Sequence, residues 1–488
     1  MTDNKVKSLE LLFKPSTVAI YNAKATARSF IEGFQAQGFD LENLYLVSSS
    51  EEEIFGVKCY KSFAEVPPDT IDLLILAVRR ELLIQALEKI LAQKKVNFIH
   101  VFTAGTGESD EQGFKIEKEI KEIVNRKSIN TRVIGPNCMG IYCPSGKIAY
   151  LRSFPLEQGN ISLVFQSGDL TSKMIKFSST RHGLRFAMGA SIGNCVDLQI
   201  SDLLQYFNES DETELVCVYF EGFSKLHNHE GLRLFNVMKI MRKPVLFING
   251  GKTERGQTAV LTHTGSVGTS QKIWDAIFKQ TPVIEVPNSL EDLIDRTYLF
   301  SKIINRYKGQ NKEIQYPKGK NTLVFLWSGG FGITATNTLT ELGIEMPYFT
   351  GETIEKLRNV YPLKIGSLNN PLDLPWISGS TQFLELSKAA ISEDIDLVIT
   401  ESDAWNNMEG KGFQSYFNNL KQIKAHVESM DKILIIILHQ YPDSNRDMFY
   451  DMLVKEDFIV YPDLRRAGKS FLALYEYGQK MNNRKNRD

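Results

Sequence analysis

The chain has 488 residues, 42% hydrophobic and 24% charged, with a formal net charge of −1. That composition is globular, and with a near-zero net charge no overall basic field points to nucleic acid. Length alone suggests about three domains.

In chain order, the polar opening Met1–Glu10 has no apolar core of a signal peptide. No run approaches the ~20 apolar residues needed to span a bilayer, so a cytoplasmic chain without a membrane segment is expected. Strand-like runs follow at Thr17–Tyr21, Leu44–Val47, Leu73–Val78, Phe98–Phe102 and Arg132–Ile134, with helical patterns at Arg80–Gln93 and Gly113–Arg126. The second helix spaces Phe114, Ile116, Ile120 and Ile123 between charged residues, which predicts one apolar face. A second series of strands is expected at Ile161–Phe165, Arg185–Ala190, Leu215–Phe220, Val245–Ile248 and Val283–Val286. A third lies at Thr322–Trp327, Asp396–Thr400, Ile433–Leu438 and Phe458–Tyr461. Strands alternating with helices predict doubly wound parallel α/β sheets. The expected division is residues 1–152, 158–305 and 321–480, with the polar stretch 306–320 as a linker. Five cysteines without CxxC spacing (Cys59, Cys138, Cys143, Cys195 and Cys217) fit free thiols in a reducing compartment and no metal site.

Several short sequences sit just after expected strands, where open α/β sheets bind ligands. Asn249-Gly-Gly-Lys-Thr-Glu-Arg-Gly256 leads to His263-Thr-Gly-Ser266. The small residues leave room around the imidazole, and the backbone N–H groups near Gly265 and Ser266 suit a phosphate. Neutral imidazole is a good nucleophile, so a phosphohistidine at His263 is one reading; a helix-capping loop histidine is the other. Ser167 and Gly168 form a strand-to-helix turn that suits either phosphate or an ordinary helix cap. Glu221 follows another strand; it either orients the imidazole or is a solvated loop carboxylate. Ile134-Gly-Pro-Asn-Cys138 reads as a rigid turn that presents Asn137 and Cys138 to a ligand or merely bends the chain. Trp327-Ser-Gly-Gly-Phe-Gly332 has the layout of a nucleotide-binding turn without GxGxxG, and fits a packing turn equally.

Taken in order, these pieces resemble the α subunit of ADP-forming acetate–CoA ligase, in the succinyl-CoA synthetase superfamily. The resemblance also uses Leu12–Ile20, Gly56–Tyr60, Ile134–Ile141, Ser191–Asn194 with Asp197 and Asp202, Thr253-Glu254, Asn370–Leu374 and Val460–Pro462 with Tyr475. It implies a CoA-binding Rossmann-like domain followed by two flavodoxin-like domains. It implies that His263 carries a phosphoryl group, that Glu221 orients it, and that Ser167 and Gly168 hold its phosphate. The implied reaction converts acyl-CoA, ADP and phosphate to carboxylic acid, CoA and ATP. ATP or ADP with Mg would sit on a separate ATP-grasp β subunit in a hetero-oligomer. The family's glycine-rich loop after the first strand is missing: Tyr21-Asn-Ala-Lys24 continues to Arg28, with no glycine before Gly33. Lys24 and Arg28 are candidate charged replacements for backbone contacts to CoA phosphates. Arg79 and Arg80 offer a second set, or simply begin a helix. The changed loop also motivates an alternative, a non-catalytic CoA-binding or regulatory homologue.

Overall fold

A computed structural model describes residues 9–24, 28–126, 128–256, 258, 260, 270–287, 289–362, 366–375, 377–392, 394–403 and 405–486. His263, Gly265 and Ser266 lie outside these residues. The chain divides into two compact units, residues 1–301 and 302–488.

The first unit holds two sheets. One has seven strands in the spatial order Glu53–Ile54, Val57–Tyr60, Leu44–Val47, Val18–Tyr21, Thr70–Leu76, Lys95–Val101, Arg132–Ile134. All pairs are parallel except Glu53–Ile54 with Val57–Tyr60. Helices such as Leu83–Gln93 and Glu111–Val124 cross over between parallel strands, and their apolar faces, with Leu87, Ile90 and Ile120, are wholly buried. Burial on both faces explains why these strands read as unbroken apolar runs. The expected helix at Arg80 begins instead as a 3-10 turn, Arg80–Leu82.

The second sheet has the order Ile284–Glu285, Val245–Asn249, Leu215–Phe220, Ile161–Phe165, Phe186–Ser191, Gly140–Tyr142. Its last strand is antiparallel to Phe186–Ser191, and the others are parallel. Strand order reverses between Val18–Tyr21 and Thr70–Leu76 in the first sheet, and between Ile161–Phe165 and Leu215–Phe220 in the second. Chains diverging to opposite sides leave a crevice at such points. The short strands Glu53–Ile54, Val57–Tyr60 and Gly140–Tyr142 were not expected. Two to four residues give too little periodicity to register.

The second unit has one sheet, ordered Ser367–Leu368, Leu372–Asp373, Thr322–Leu326, Leu397–Ser402, Ile433–Leu438, Ile459–Tyr461. It is parallel apart from its first pair. Ile433–Leu438 is buried along its whole length. Its core packs Phe325, Phe383, Tyr416 and Phe449 around that sheet. No helix among the described residues is long and apolar enough to cross a membrane.

Candidate active site

One cleft of about 880 Å³ draws its lining from both reversal points of the first unit. Asn22, Lys24 and Val78 to Glu81 come from the first sheet. Gln166 to Asp169 and Glu221 come from the second, and Asn137 to Met139 with Gly193 and Asn194 lie between.

The glycine-poor first loop keeps a glycine-like backbone. Asn22 has φ +63°, a left-handed conformation that asparagine tolerates better than most residues. Its Nδ2 donates to the Ala77 carbonyl at 2.8 Å, which ties the two strand ends that flank the reversal. Lys24 is exposed on the cleft wall. Arg28 is not among the lining residues; it pairs at 3.6 Å with Glu32 one helical turn on. Arg79 is exposed and lines the cleft. Arg80 is engaged, donating to the Gly105 carbonyl at 2.9 Å and to Asp110 at 2.8 Å. Among the described residues neither Lys24 nor Arg79 has an ion-pair partner, so both cations are open to an anionic ligand.

The loop Gly135–Gly140 is clamped from both sides. Gly135–Pro136 is cis, and Asn137 has φ +58°. Asn194 N–H donates to the Pro136 carbonyl at 3.0 Å, and Val196 N–H to that of Gly135 at 3.0 Å. Beneath it, His100 Nε2 bonds the Cys138 carbonyl at 3.0 Å. Desolvation lowers the His100 pKa to about 4, so the ring is neutral at pH 7 and Nε2 must carry the proton to donate. The packing demands glycine at 140, where a Cβ would stand 2.4 Å from His100 Cε1. Cys138 is 4% exposed, and burial raises its thiol pKa well above the ordinary value; it lies at the wall as a neutral thiol. Asn137 Nδ2 reaches Asn194 Oδ1 at 3.4 Å. The Asn194 amide itself donates to Glu117 at 2.7 Å and to Glu108 at 2.6 Å, which fixes its orientation.

Ser167 caps the helix Gly168–His182, its hydroxyl accepting from Leu170 N–H at 3.3 Å. The capped end still faces the cleft, with the partial positive charge of a four-turn helix behind it. Glu221 is buried, at 6% exposure, so the solvated-loop reading does not hold. Its loop is gripped by Gln166, whose Oε1 accepts from the N–H groups of Glu221 and Gly222 and whose Nε2 donates to the Gly222 carbonyl at 2.9 Å. Tyr219 lies beside it; burial first, then the Glu221 carboxylate, raise its phenol pKa. A Cβ on Gly250 would lie 3.1 Å from Tyr219 Oη, so the turn that follows the strand Val245–Asn249 packs against Tyr219. The sequence reading missed Gln166 and Tyr219 as site residues; both belong to strand-end runs, whose only signal was position. The described residues show no cluster able to hold a metal.

In the second unit, the glycine turn Ser328–Gly332 opens the helix Gly329–Glu341. His439 Nε2 meets Glu401 Oε1 at 3.0 Å, with the Phe331 ring edge-on to the imidazole at 5.2 Å. Burial is the main cause that raises the Glu401 pKa.

Two family models match: a CoA binding domain over residues 19–144 and a succinyl-CoA ligase like flavodoxin domain over residues 158–300. The α subunit of acetate–CoA ligase (ADP-forming) II from Pyrococcus furiosus is 28% identical, over 80% of this chain and 81% of its own length. This chain thus carries a CoA binding domain and a succinyl-CoA ligase like flavodoxin domain, and along most of its length it is similar to ADP-forming acetate–CoA ligase α subunits. The acetate–CoA ligase (ADP-forming) of Methanocaldococcus jannaschii is 31% identical over 75% of the chain, which spans 49% of that ligase. The fold matches the dinucleotide-forming acetyl-coenzyme A synthetase 1 of Ca. Korarchaeum cryptofilum, in complex with phosphate and ADP, with TM-score 0.79 at 23% identity, covering 97% of this chain and 98% of that one. The three-part α/β architecture is therefore that of the ligases, a CoA-binding domain followed by two flavodoxin-like domains.

Proposed function

We propose that the chain is the α-type subunit of an ADP-forming acyl-CoA synthetase, converting acyl-CoA, phosphate and ADP reversibly to carboxylic acid, CoA and ATP. This cleft carries the reading, because it sets two free cations, an amide-bearing turn, a capped helix N-terminus and a buried glutamate around one space. Its volume is within the range of small-molecule sites. CoA is an anionic substrate, and Lys24 and Arg79 suit its phosphates; Arg28 stands aside with Glu32.

Inorganic phosphate would attack the thioester carbonyl, forming the C–O bond of an acyl phosphate as the C–S bond breaks and the CoA thiolate leaves. The N–H groups at Gly168 and the Ser167 hydroxyl would hold the phosphate, with Gly265 and Ser266 adding donors. His263 would then take the phosphoryl group, releasing the carboxylate. Glu221 would bond the other ring nitrogen and so hold the tautomer that leaves the attacking nitrogen free. Positioning and fixed dipoles do most of the work in such transfers. A partner subunit with an ATP-grasp site would accept the phosphoryl group on Mg-bound ADP. The relatives named as α subunits support a partner. We place the domains at residues 1–152, 158–305 and 321–480 with a linker at 306–320, and the chain in the cytoplasm, where five buried free cysteines persist.

The test is phosphorylation of the chain with its partner and Mg-ATP, or with acyl-CoA and phosphate. The label should be alkali-stable and acid-labile, as a protonated N–P bond hydrolyses. His263→Asn should abolish it and Glu221→Gln should slow it; label retained in full by His263→Asn removes the assignment.

A further inference from the structure

The chemistry proposed above leaves unused a side chain that overhangs the phosphate end of the cleft. Met139 follows Asn137 and Cys138 in the clamped turn, and its N–H donates to Ser191 Oγ at 3.2 Å. Its side chain lies over the first residue of the helix Gly168–His182, so close that a Cβ on Gly168 would stand 2.4 Å from Met139 Cγ. Met139 is half-buried and lines the same cleft as Ser167, Gly168 and Glu221. A phosphoryl group held at that helix end is joined to the acyl carbon through one oxygen. The acyl chain must therefore occupy the few ångströms beside Met139. Methionine is apolar and unbranched, and fills irregular space closely. Its backbone cannot retreat, because the turn is bonded to Ser191, Asn194 and His100.

We propose that Met139 sets the length of acyl group the cleft accepts, by forming the wall against which the far carbons of the acyl chain pack. The inference rests on the acyl-phosphate reading. It concerns selectivity rather than reaction, since Met139 offers no group able to transfer a proton or hold a charge. A shorter side chain at 139 deepens the wall without disturbing the backbone donors at Gly168.

The experiment uses the full chain with its partner and measures kcat/KM for acetyl-CoA, propanoyl-CoA and butanoyl-CoA in the ATP-forming direction. Met139→Ala should raise the butanoyl-to-acetyl ratio by about tenfold or more, the scale on which hydrophobic pockets discriminate one methylene. Met139→Leu, similar in volume, should keep the parental ratio. Should Met139→Ala fail to fold, Met139→Val shortens the side chain less and should move the ratio the same way. A ratio within about twofold of the parent in an active shortened variant overturns the assignment and leaves the synthetase reading standing. A parent that turns over none of the three thioesters and takes no label on His263 overturns the synthetase reading, and the role of Met139 falls with it.

Discussion

Replacing Gln166 with leucine tests whether the glutamate loop is held as the geometry says. The Gln166 side chain is 4% exposed. It satisfies two N–H groups and one carbonyl of the Glu221–Gly222 loop, and leucine of similar volume satisfies none. A buried polar group left unpaired costs about 1–3 kcal/mol. The Glu221 loop can turn some of these groups toward the cleft, so the loss should total about 2–4 kcal/mol rather than the full sum. For a unit of this size that lowers Tm by roughly 3–6 °C. The functional loss should exceed the loss of stability, because displacing by ~1 Å the carboxylate proposed to orient His263 costs on the order of 100-fold in rate. The assay is calorimetric Tm beside the rate of acid-labile labelling with partner and Mg-ATP, the rate being read at a temperature where the variant is folded. A Gln166→Leu chain that melts within about 2 °C of the parent and labels at the parental rate would refute the bracing argument.

His100 supplies a pH signature. Its pKa is lowered from the ordinary 6.5 to about 4 by burial, so the unfolded chain binds the extra proton first. Its contribution is complete above pH 6.5 and is lost as pH falls toward 4, by roughly 3 kcal/mol in all; His100→Gln should flatten the stability profile across that window, as followed by urea unfolding. For CoA, Lys24→Ala and Arg79→Ala should each weaken binding about tenfold, from one charge-assisted hydrogen bond at an exposed site, and lessen its salt dependence. Arg28→Ala should leave calorimetric affinity unchanged, and a loss there equal to that at Lys24 would place the phosphates differently.

The architecture was legible because parallel strands buried on both faces must be apolar from end to end. Leu44–Val47, Ile161–Phe165, Leu215–Phe220 and Ile433–Leu438 stand where their runs predicted. The site motifs were legible for a related reason: glycine, proline and small polar residues after a strand leave few options to the backbone. What the linear order could not show was which strand ends meet. The reversals of strand order bring Asn22, Asn137, Ser167 and Glu221 to one cleft, though about 200 positions separate the first from the last. Nor could it show that Glu221 is buried, because a glutamate between Phe220 and Gly222 looks solvated until Gln166 closes over its loop. The first loop makes the same point. A missing glycine reads as a lost ligand cradle, yet Asn22 takes the left-handed turn itself and leaves Lys24 free on the wall. Sequence determines local conformation and the sidedness of each element, which depend on neighbours a few residues away. Burial, pairing of charges and convergence of loops depend on strand order, which is set by packing between residues far apart in the chain, and only the tertiary structure decides them.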